Sequence, residues 1–94
     1  MMSDFHTLHI LNKTPDHPRF SECLGMSSSD DALLLTENGV LALTTSRVLG
    51  DRTVYALKSD LTARAIDTHQ SNVGAIDYQG MVELSLKAKR VICW

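Results

Sequence analysis

The segment that decides the fold is DALLLT, residues 31–36, in which four apolar residues follow one another without the alternation of a half-exposed strand. A short apolar run that is closed by polar residues on both sides is typical of a strand buried on both faces. Such strands occur in parallel sheets that carry helices on both sides. The segment therefore predicts an α/β domain built on a mainly parallel sheet.

The sequence on either side of this strand continues the same pattern. Apolar, β-branched and aromatic runs predict further strands at residues 5–11, 53–58, 73–76 and 91–94. Segments with helical spacing lie between them, at residues 18–24, 60–66 and 78–88. Strands alternate with helices, and no repeat, linker or low-complexity stretch interrupts the chain. We therefore expect one three-layer α/β/α domain over residues 1–94.

Polar residues mark the expected ends of these helices. Thr14 or Asp16 is expected to cap the first helix, and Gly25 to lie just past its end. Ser59 and Asp77 are expected to cap the second and third helices. Capping explains the scattered carboxylates better than acid–base catalysis does. The third helix has the clearest periodicity, and its predicted apolar face consists of Met81, Val82, Leu84 and Leu86.

The dipeptide Asn38-Gly39 has two interpretations. Both residues tolerate positive φ, so the dipeptide is a strong hairpin signal that would return residues 40–43 as an antiparallel strand. The same residues also fit a helix whose apolar stripe passes through Val40 and Leu43. The local sequence does not separate these two possibilities.

Charge and composition exclude some classes of protein and favour others. Nine basic residues against eleven acidic ones give a net charge of −2, which is unsuited to a domain that holds nucleic acid by itself. The small basic cluster of Lys87, Lys89 and Arg90 is interpreted as a helix end that the macrodipole favours. Hydrophobic residues make up 44% of the chain and charged residues 21%, so we expect part of the apolar surface to form an interface.

The cellular location is predicted from what a secreted or membrane protein would need. Two cysteines are too few for a disulfide framework, and the N-terminus has no basic region followed by an apolar stretch. The longest fully apolar run, residues 32–35, is far below the roughly 20 residues of a membrane helix. We expect a soluble cytoplasmic protein with reduced thiols and no membrane contact.

Familiar catalytic and ligand-binding motifs are not found in the sequence. The glycines form neither a dinucleotide fingerprint nor a P-loop, and there is no nucleophile elbow. His6 and His9 lie three residues apart on a predicted strand and face opposite sides, so they are interpreted as a capped or solvated strand end. Trp94 is either a free end or an apolar anchor for the pocket of a partner. No cofactor or metal site is predicted.

Cys23 is the candidate for covalent chemistry. Arg19 lies four residues before it on the same helix face, and a nearby cation stabilises the reactive thiolate. Phe20, Cys23 and Leu24 also form a helical stripe, which is typical of an inert cysteine that faces the core. Cys93, in the apolar terminal strand, is the weaker candidate.

Five segments in order carry a resemblance to a known family. They are LHILNKTP (8–15), DALLLTENGV (31–40), VYALKSDLTAR (54–64), IDY (76–78) and the terminal Trp94. Together they resemble the DsrH/TusB family of sulfur-relay subunits over nearly the whole chain. Two departures are Ala65, where the family usually has glycine, and Met81, where it usually has phenylalanine.

The resemblance implies a fold and a set of partners. It implies a five-stranded parallel sheet between helices, and hence a helix at residues 40–43, because parallel strands need a crossover. It implies a hetero-oligomer with DsrE/TusD-like and DsrF/TusC-like subunits. A TusA-like donor would supply sulfur to this complex, and a DsrC/TusE-like acceptor would receive it.

The resemblance also implies a role for the thiol. Some relatives have a cysteine in the first helix, and others rely on the thiol of the TusD-like subunit, so Cys23 is a candidate persulfide carrier. Arg19 and Lys13 are the cations expected to favour its thiolate. The implied function is passage of persulfide sulfur toward 2-thiolation of the tRNA wobble uridine, with only indirect tRNA contact. The alternatives are the related complex of sulfur oxidation, or a non-catalytic structural subunit whose partner carries the persulfide.

Overall fold

The computed structural model describes residues 6–44, 49, 52–66 and 73–94. Strands and helices alternate in these residues, as the sequence predicts. The strands are β1 (Thr7–Leu11), β2 (Ala32–Leu35), β3 (Thr53–Leu57), β4 (Val73–Ile76) and β5 (Arg90–Cys93). The helices are α1 (Pro18–Met26), a 3₁₀ helix (Glu37–Thr44), α2 (Lys58–Ala63) and α3 (Tyr78–Lys87). Among the described residues, no helix is long and apolar enough to cross a lipid bilayer.

All four strand pairings are parallel, and the order across the sheet is β4-β3-β2-β1-β5. This confirms the predicted five-stranded parallel sheet with helices on its faces. The first strand, β1, lies inside the sheet. Strands β2, β3 and β4 follow in order on one side of β1, and β5 lies on its other side. The strand order therefore reverses between β1 and β5.

The central strand β2 separates two hydrophobic cores. Leu33 and Leu35 face the first core, while Ala32 and Leu34 face the second, and all four side chains are buried. Residues of α1, the 3₁₀ helix and α2 complete the first core, and α3 contributes Leu84 to the second. This arrangement explains why the strand is apolar at every position: successive side chains point to opposite faces, and both faces are covered.

The segment after β2 is helical. This confirms the helical crossover that the resemblance implies, and the hairpin interpretation of Asn38-Gly39 is wrong. Asn38 and Gly39 lie inside the 3₁₀ helix, and Val40 is fully buried in the first core. A methyl group on Gly39 would collide with the main-chain oxygen of Leu11. Glycine is therefore needed here for close approach of the 3₁₀ helix to the end of β1, and not for a hairpin turn.

The predicted helix ends are only partly right. His17 caps α1 instead of Thr14 or Asp16, because its Nδ1 atom accepts the hydrogen bond from the main-chain N–H of Arg19. Pro18 begins the helix, where a missing N–H costs nothing. Gly25 lies within α1, which runs on to Met26.

The ends of the other two helices give one wrong prediction and one correct one. Ser59 lies inside α2, which begins after Leu57 and has no side-chain cap. Its neighbour Asp60 instead accepts a hydrogen bond from the main-chain N–H of Glu37, and so joins α2 to the 3₁₀ helix. The prediction for α3 is confirmed, since Asp77 accepts from the N–H of Gly80 at 2.8 Å.

The predicted apolar face of α3 is wrong for two of its four members. Leu84 is buried and Met81 packs on the second core, but Val82 and Leu86 are 44% and 80% exposed. A helix advances about 100° per residue, so Val82 and Leu86, four residues apart, share a different face from Met81 and Leu84.

Ala65 follows α2 in the left-handed region, with φ of 52°. Glycine adopts this conformation without steric cost, whereas a side chain with a Cβ costs roughly 1–2 kcal/mol. This backbone conformation favours glycine at position 65, where this chain has alanine.

Candidate functional site

The thiol of Cys23 lies in the first hydrophobic core. Cys23 belongs to α1 and is fully buried. The same core contains Phe20 and Leu11. The helical stripe that the sequence showed at Phe20, Cys23 and Leu24 therefore faces the sheet. In this conformation a donor persulfide has no route to the sulfur atom.

Burial also controls the ionisation of Cys23. It raises the pKa of the thiol to about 12 from an ordinary value of 9.0, against a smaller lowering by Arg52. Asp31 adds to the rise, since its negative charge disfavours a second anion. A shift of this size leaves about a thousandth of the thiolate that an ordinary cysteine carries at neutral pH. The thiolate, and not the thiol, is the nucleophile in sulfur transfer.

The cations that the sequence placed near Cys23 are engaged elsewhere. The Arg19 guanidinium lies over the ring of Trp94, 5.9 Å from its centroid. The Lys13 ammonium donates to Oδ1 of Asn12 at 2.7 Å and to the main-chain oxygen of Trp94 at 2.9 Å. The expectation that these two residues favour the Cys23 anion is therefore wrong, because both are held at the C-terminal residue.

Arg52 is the cation that acts on Cys23, and sequence reasoning missed it. Its guanidinium donates to the main-chain oxygens of Leu24 and Leu49 and to the Ser27 hydroxyl, at 3.0–3.1 Å. It thus binds the carboxyl end of α1, where cations are favoured. Arg52 lies 28 positions from Leu24, so no helical or strand spacing in the sequence could have shown this contact.

A surface pocket of about 220 Å³ lies beside this end of α1. It is lined by Ser27, Ser28, Ser29 and Arg52. Three donor groups of the guanidinium are already bonded to protein atoms. The described residues contain no group of three or more His, Cys, Asp or Glu side chains that could hold a metal ion.

His9 and Trp94 form a network that the sequence did not predict. His9 is 98% buried, since only 2% of it is exposed, and its Nε2 donates to Asp31 Oδ2 at 2.9 Å. The indole N–H of Trp94 donates to the other ring nitrogen, Nδ1, at 3.0 Å. Because indole is only a donor, Nδ1 must accept and Nε2 must carry the hydrogen. The interpretation of His9 as a solvated strand end is therefore wrong.

Trp94 occupies the position where open α/β sheets usually bind ligands. Such ligands lie outside the carboxyl ends of the strands where the strand order reverses, which in this sheet is between β1 and β5. The main-chain N–H of Trp94 bonds to Ile10, and its ring packs on the first core. Trp94 is thus not a free end, because this chain itself binds its ring and its main-chain N–H.

The ionised carboxyl of Asp31 stabilises the fold. Burial raises its pKa, but hydrogen bonds from His9 and from the N–H of Ser28 outweigh burial and hold that pKa below its ordinary value. A lowered pKa contributes stability that is complete above the ordinary value of about 3.9 and is lost as pH falls through the folded-state pKa.

We expect Asp31→Asn to lower the free energy of unfolding by about 1–3 kcal/mol at neutral pH, since it weakens hydrogen bonds to a buried, charged acceptor. The difference from the unsubstituted chain should begin to shrink once the pH falls below the ordinary aspartate pKa of about 3.9, because the unfolded chain then binds the proton more readily than the folded one. Urea unfolding between neutral pH and pH 3 measures both effects. Asp30→Asn, at the exposed neighbouring carboxyl, is the matched control. A constant difference between Asp31→Asn and the unsubstituted chain at all pH values would contradict this account.

The free thiol of Cys93 is exposed, in contrast to that of Cys23. Cys93 pairs with Ile10 of β1, and Ile10 packs on the second core, so Cys93 lies on the face of the sheet that carries α3. The Cys93 thiol and the network of His9 and Trp94 lie on opposite faces of the sheet, since Trp94 packs on the first core.

These features define a small open-sheet α/β domain in which the chain's own side chains close both the Cys23 thiol and the strand-reversal crevice. The DsrH family, described as DsrH like protein, matches residues 13–91. The chain is 33% identical to Protein TusB of Buchnera aphidicola subsp. Baizongia pistaciae, over 93% of this chain and 99% of that protein. It is 35% identical to Protein TusB of Escherichia coli O81, with the same two coverages. The chain belongs to the DsrH family.

A solved structure agrees with the fold. Protein Tm0979 from Thermotoga maritima, determined in solution by NMR, superposes with a TM-score of 0.62 and is 29% identical to this chain. The match covers 83% of this chain and 88% of that protein.

Proposed function

We propose that this chain is a subunit of a cytoplasmic sulfur-relay complex that passes persulfide sulfur toward 2-thiolation of the tRNA wobble uridine. Membership of the DsrH family supports the sulfur relay, and relatives named TusB favour the tRNA branch over sulfur oxidation. The partners are DsrE/TusD-like and DsrF/TusC-like subunits. A TusA-like donor supplies the complex, and a DsrC/TusE-like acceptor takes the sulfur from it.

Within this complex the chain acts as a structural subunit whose partner carries the persulfide. The observation that supports this role is the sealed thiol of Cys23, which is fully buried and whose pKa is raised to about 12. A carrier must let its thiolate attack the terminal sulfur of the donor persulfide, while the donor thiolate leaves. The Cys23 thiol is inaccessible to a donor, and its raised pKa keeps it in the thiol form. A carrier role for Cys23 stays a prediction, and it would require α1 to move away from the sheet.

Mass spectrometry of the intact complex tests this role. The complex of all three subunits is loaded with sulfur by a cysteine desulfurase and the TusA-like donor, without reductant. We expect the mass of an added sulfur atom on the DsrE/TusD-like subunit and none on this chain. Cys23→Ala in this chain should leave both the loading of the partner and the transfer to the acceptor unchanged.

Two variants separate the thiols of this chain. Added sulfur that disappears in Cys23→Ser but persists in Cys93→Ser would make Cys23 a carrier and overturn the structural role. Deleting the gene should abolish wobble-uridine thiolation, because the complex is then incomplete. Normal thiolation in the deletion strain would contradict the proposed function itself.

A further inference from the structure

The ring of His9 is hydrogen-bonded at both of its nitrogen atoms. Nε2 donates to Oδ2 of Asp31 at 2.9 Å, and Nδ1 accepts from the indole N–H of Trp94 at 3.0 Å. One donor and one acceptor on the same ring require the uncharged form of histidine, with its hydrogen on Nε2. Only 2% of His9 is exposed, so water cannot take the place of either partner.

Protonation of His9 is incompatible with one of these two bonds. A proton from solvent that binds Nδ1 turns this atom into a donor, and it then faces the donor N–H of the indole. The bond to Trp94 is lost, and buried donors left without acceptors are costly. The bond to Asp31 is retained and becomes an ion pair, which is stronger than a neutral hydrogen bond. The charged ring therefore keeps Asp31 and repels the indole N–H.

The other contacts of Trp94 are made by its main chain and by one face of its ring. Its N–H donates to the oxygen of Ile10 at 2.9 Å, and its own oxygen accepts from Nζ of Lys13 at 2.9 Å. The guanidinium of exposed Arg19 lies 5.9 Å from the ring centroid, at the long end of the range for a cation–π contact. None of these contacts needs a particular charge on His9. The main chain can therefore stay in place while the half-buried ring turns out into solvent.

Charged and titratable groups approach this network from β2, from α1 and from the segment after β1. They are Asp31 at the start of β2, Arg19 and Cys23 of α1, and Lys13. Asp31 contacts the imidazole itself, whereas Arg19 and Lys13 contact Trp94. The residues that pair with His9 in β2 and β5 are apolar, and the Cys23 thiol is uncharged at neutral pH. Among the described residues, the charge in contact with the imidazole is thus negative and favours its protonation.

We propose that His9 is a proton-sensitive latch that closes the strand-reversal crevice with the ring of Trp94. Uncharged His9 holds the ring at the ends of β1 and β5, and protonated His9 releases the ring and opens the crevice. Open α/β sheets usually bind ligands at this position, so the latch decides when the position is accessible. The inference concerns contacts within this chain alone and does not rest on the proposed function.

Fluorescence of the full chain tests the latch, because Trp94 is its only tryptophan. The emission maximum, acrylamide quenching and circular dichroism are measured between pH 8 and pH 5, the interval in which histidine ordinarily changes charge. Carboxylates stay largely ionised there, and hydrogen bonds hold the pKa of Asp31 below its ordinary value. At the acidic end the emission maximum should move to longer wavelength, and the quenching constant should rise about twofold or more, as the half-buried ring becomes exposed. The circular dichroism spectrum should not change.

His9→Gln should abolish this pH dependence. The glutamine amide offers a donor for Asp31 and an acceptor for Trp94, but it does not titrate, so the ring should stay closed over the whole interval. His6→Gln is the matched control. His6 is exposed and its Nδ1 bonds to the Thr7 hydroxyl, so this variant should show the same transition as the unsubstituted chain.

NMR of the unsubstituted chain gives a second readout that needs no substitution at a buried position. Nitrogen-15 shifts of the imidazole show which nitrogen carries hydrogen, and the single indole N–H resonance reports the hydrogen bond of Trp94. Before acidification we expect hydrogen on Nε2 of His9 and none on Nδ1. On acidification, protonation of Nδ1 and the change in the indole resonance should share one midpoint.

Several results would overturn the latch. One is a His9 ring that stays uncharged down to pH 5, and another is a protonated ring with no change in emission maximum or acrylamide quenching. A transition that persists in His9→Gln, or that coincides with loss of the circular dichroism signal, also overturns it, because another group or unfolding is then the cause. Each of these results leaves the proposed function unaffected, since sulfur loading of the complex and wobble-uridine thiolation test that function.

Discussion

Replacing Phe20 with alanine is expected to remove about 3–5 kcal/mol from the free energy of unfolding. Phe20 is fully buried in the first core, where it packs between α1 and the sheet. Its loss removes apolar contacts and leaves a cavity that rigid strands cannot fill. A domain of 94 residues has a total stability of about 5–14 kcal/mol, so this single change takes a large share of it.

Urea unfolding at neutral pH measures this loss. Met26→Ala is the matched control on the same helix, because Met26 is 65% exposed and its truncation should change stability by less than about 0.5 kcal/mol. Similar losses for the two variants would mean that α1 does not pack on the sheet through Phe20. Such a result would also remove the basis for regarding Cys23 as sealed.

Replacing Gly39 with alanine is expected to cost about 3 kcal/mol or more. The added methyl group would overlap the main-chain oxygen of Leu11, and that oxygen accepts the N–H of Thr36 at 3.1 Å. Main-chain atoms in a paired strand cannot move aside as a flexible side chain can. The 3₁₀ helix would therefore shift away from β1 and take Val40 partly out of the first core.

Gly25→Ala is the control, and its expected effect has the opposite sign. Gly25 lies within α1, and a methyl group there meets no atom within 4 Å. Alanine in a helix is favoured over glycine by roughly 0.5–1 kcal/mol, so the domain should become slightly more stable. Equal effects of the two substitutions in urea unfolding would show that helix propensity, and not the contact with Leu11, explains Gly39.

The location of Cys23 has a consequence for how the relay complex works. Burial protects the Cys23 thiol from oxidation and from accepting sulfur, because both reactions require an accessible thiolate. The same face carries Trp94, which fills the strand-reversal crevice through His9 and Ile10. The first-core face of the sheet is thus closed by side chains of the chain itself.

Local sequence patterns predicted the fold because side chains repeat every two residues in a strand and about every 3.6 in a helix, and the spacing of apolar residues follows these periods. DALLLT at residues 31–36 indicated a strand covered on both faces, and the structure has it at the centre of a parallel sheet. The predictions failed where the choice lay between neighbouring polar residues. His17 and not Thr14 or Asp16 caps α1, since the cap depends on which side chain meets the helix N–H.

The apolar face of α3 shows a second limit of local patterns. Val82 and Leu86 are as hydrophobic as Leu84, so hydrophobicity alone assigned them to the core. The structure exposes them because the sheet contacts only the side of α3 that carries Met81 and Leu84. Which apolar stripe of a helix packs on its own domain depends on the crossing of the chain from β4 to β5, which is a tertiary feature.

The sequence by itself determined the order of strands and helices, the parallel sheet and the membership of a family. Only the tertiary structure decided the chemical state of the site, because that state depends on residues far apart in the chain. Arg52 reaches the end of α1 from 28 positions beyond Leu24, and Trp94 reaches His9 across 85 positions. Strand order and register bring these groups together, whereas a pattern of hydrophobicity extends over only a few residues. A cysteine four residues from an arginine therefore looked reactive, and the fold buries its thiol.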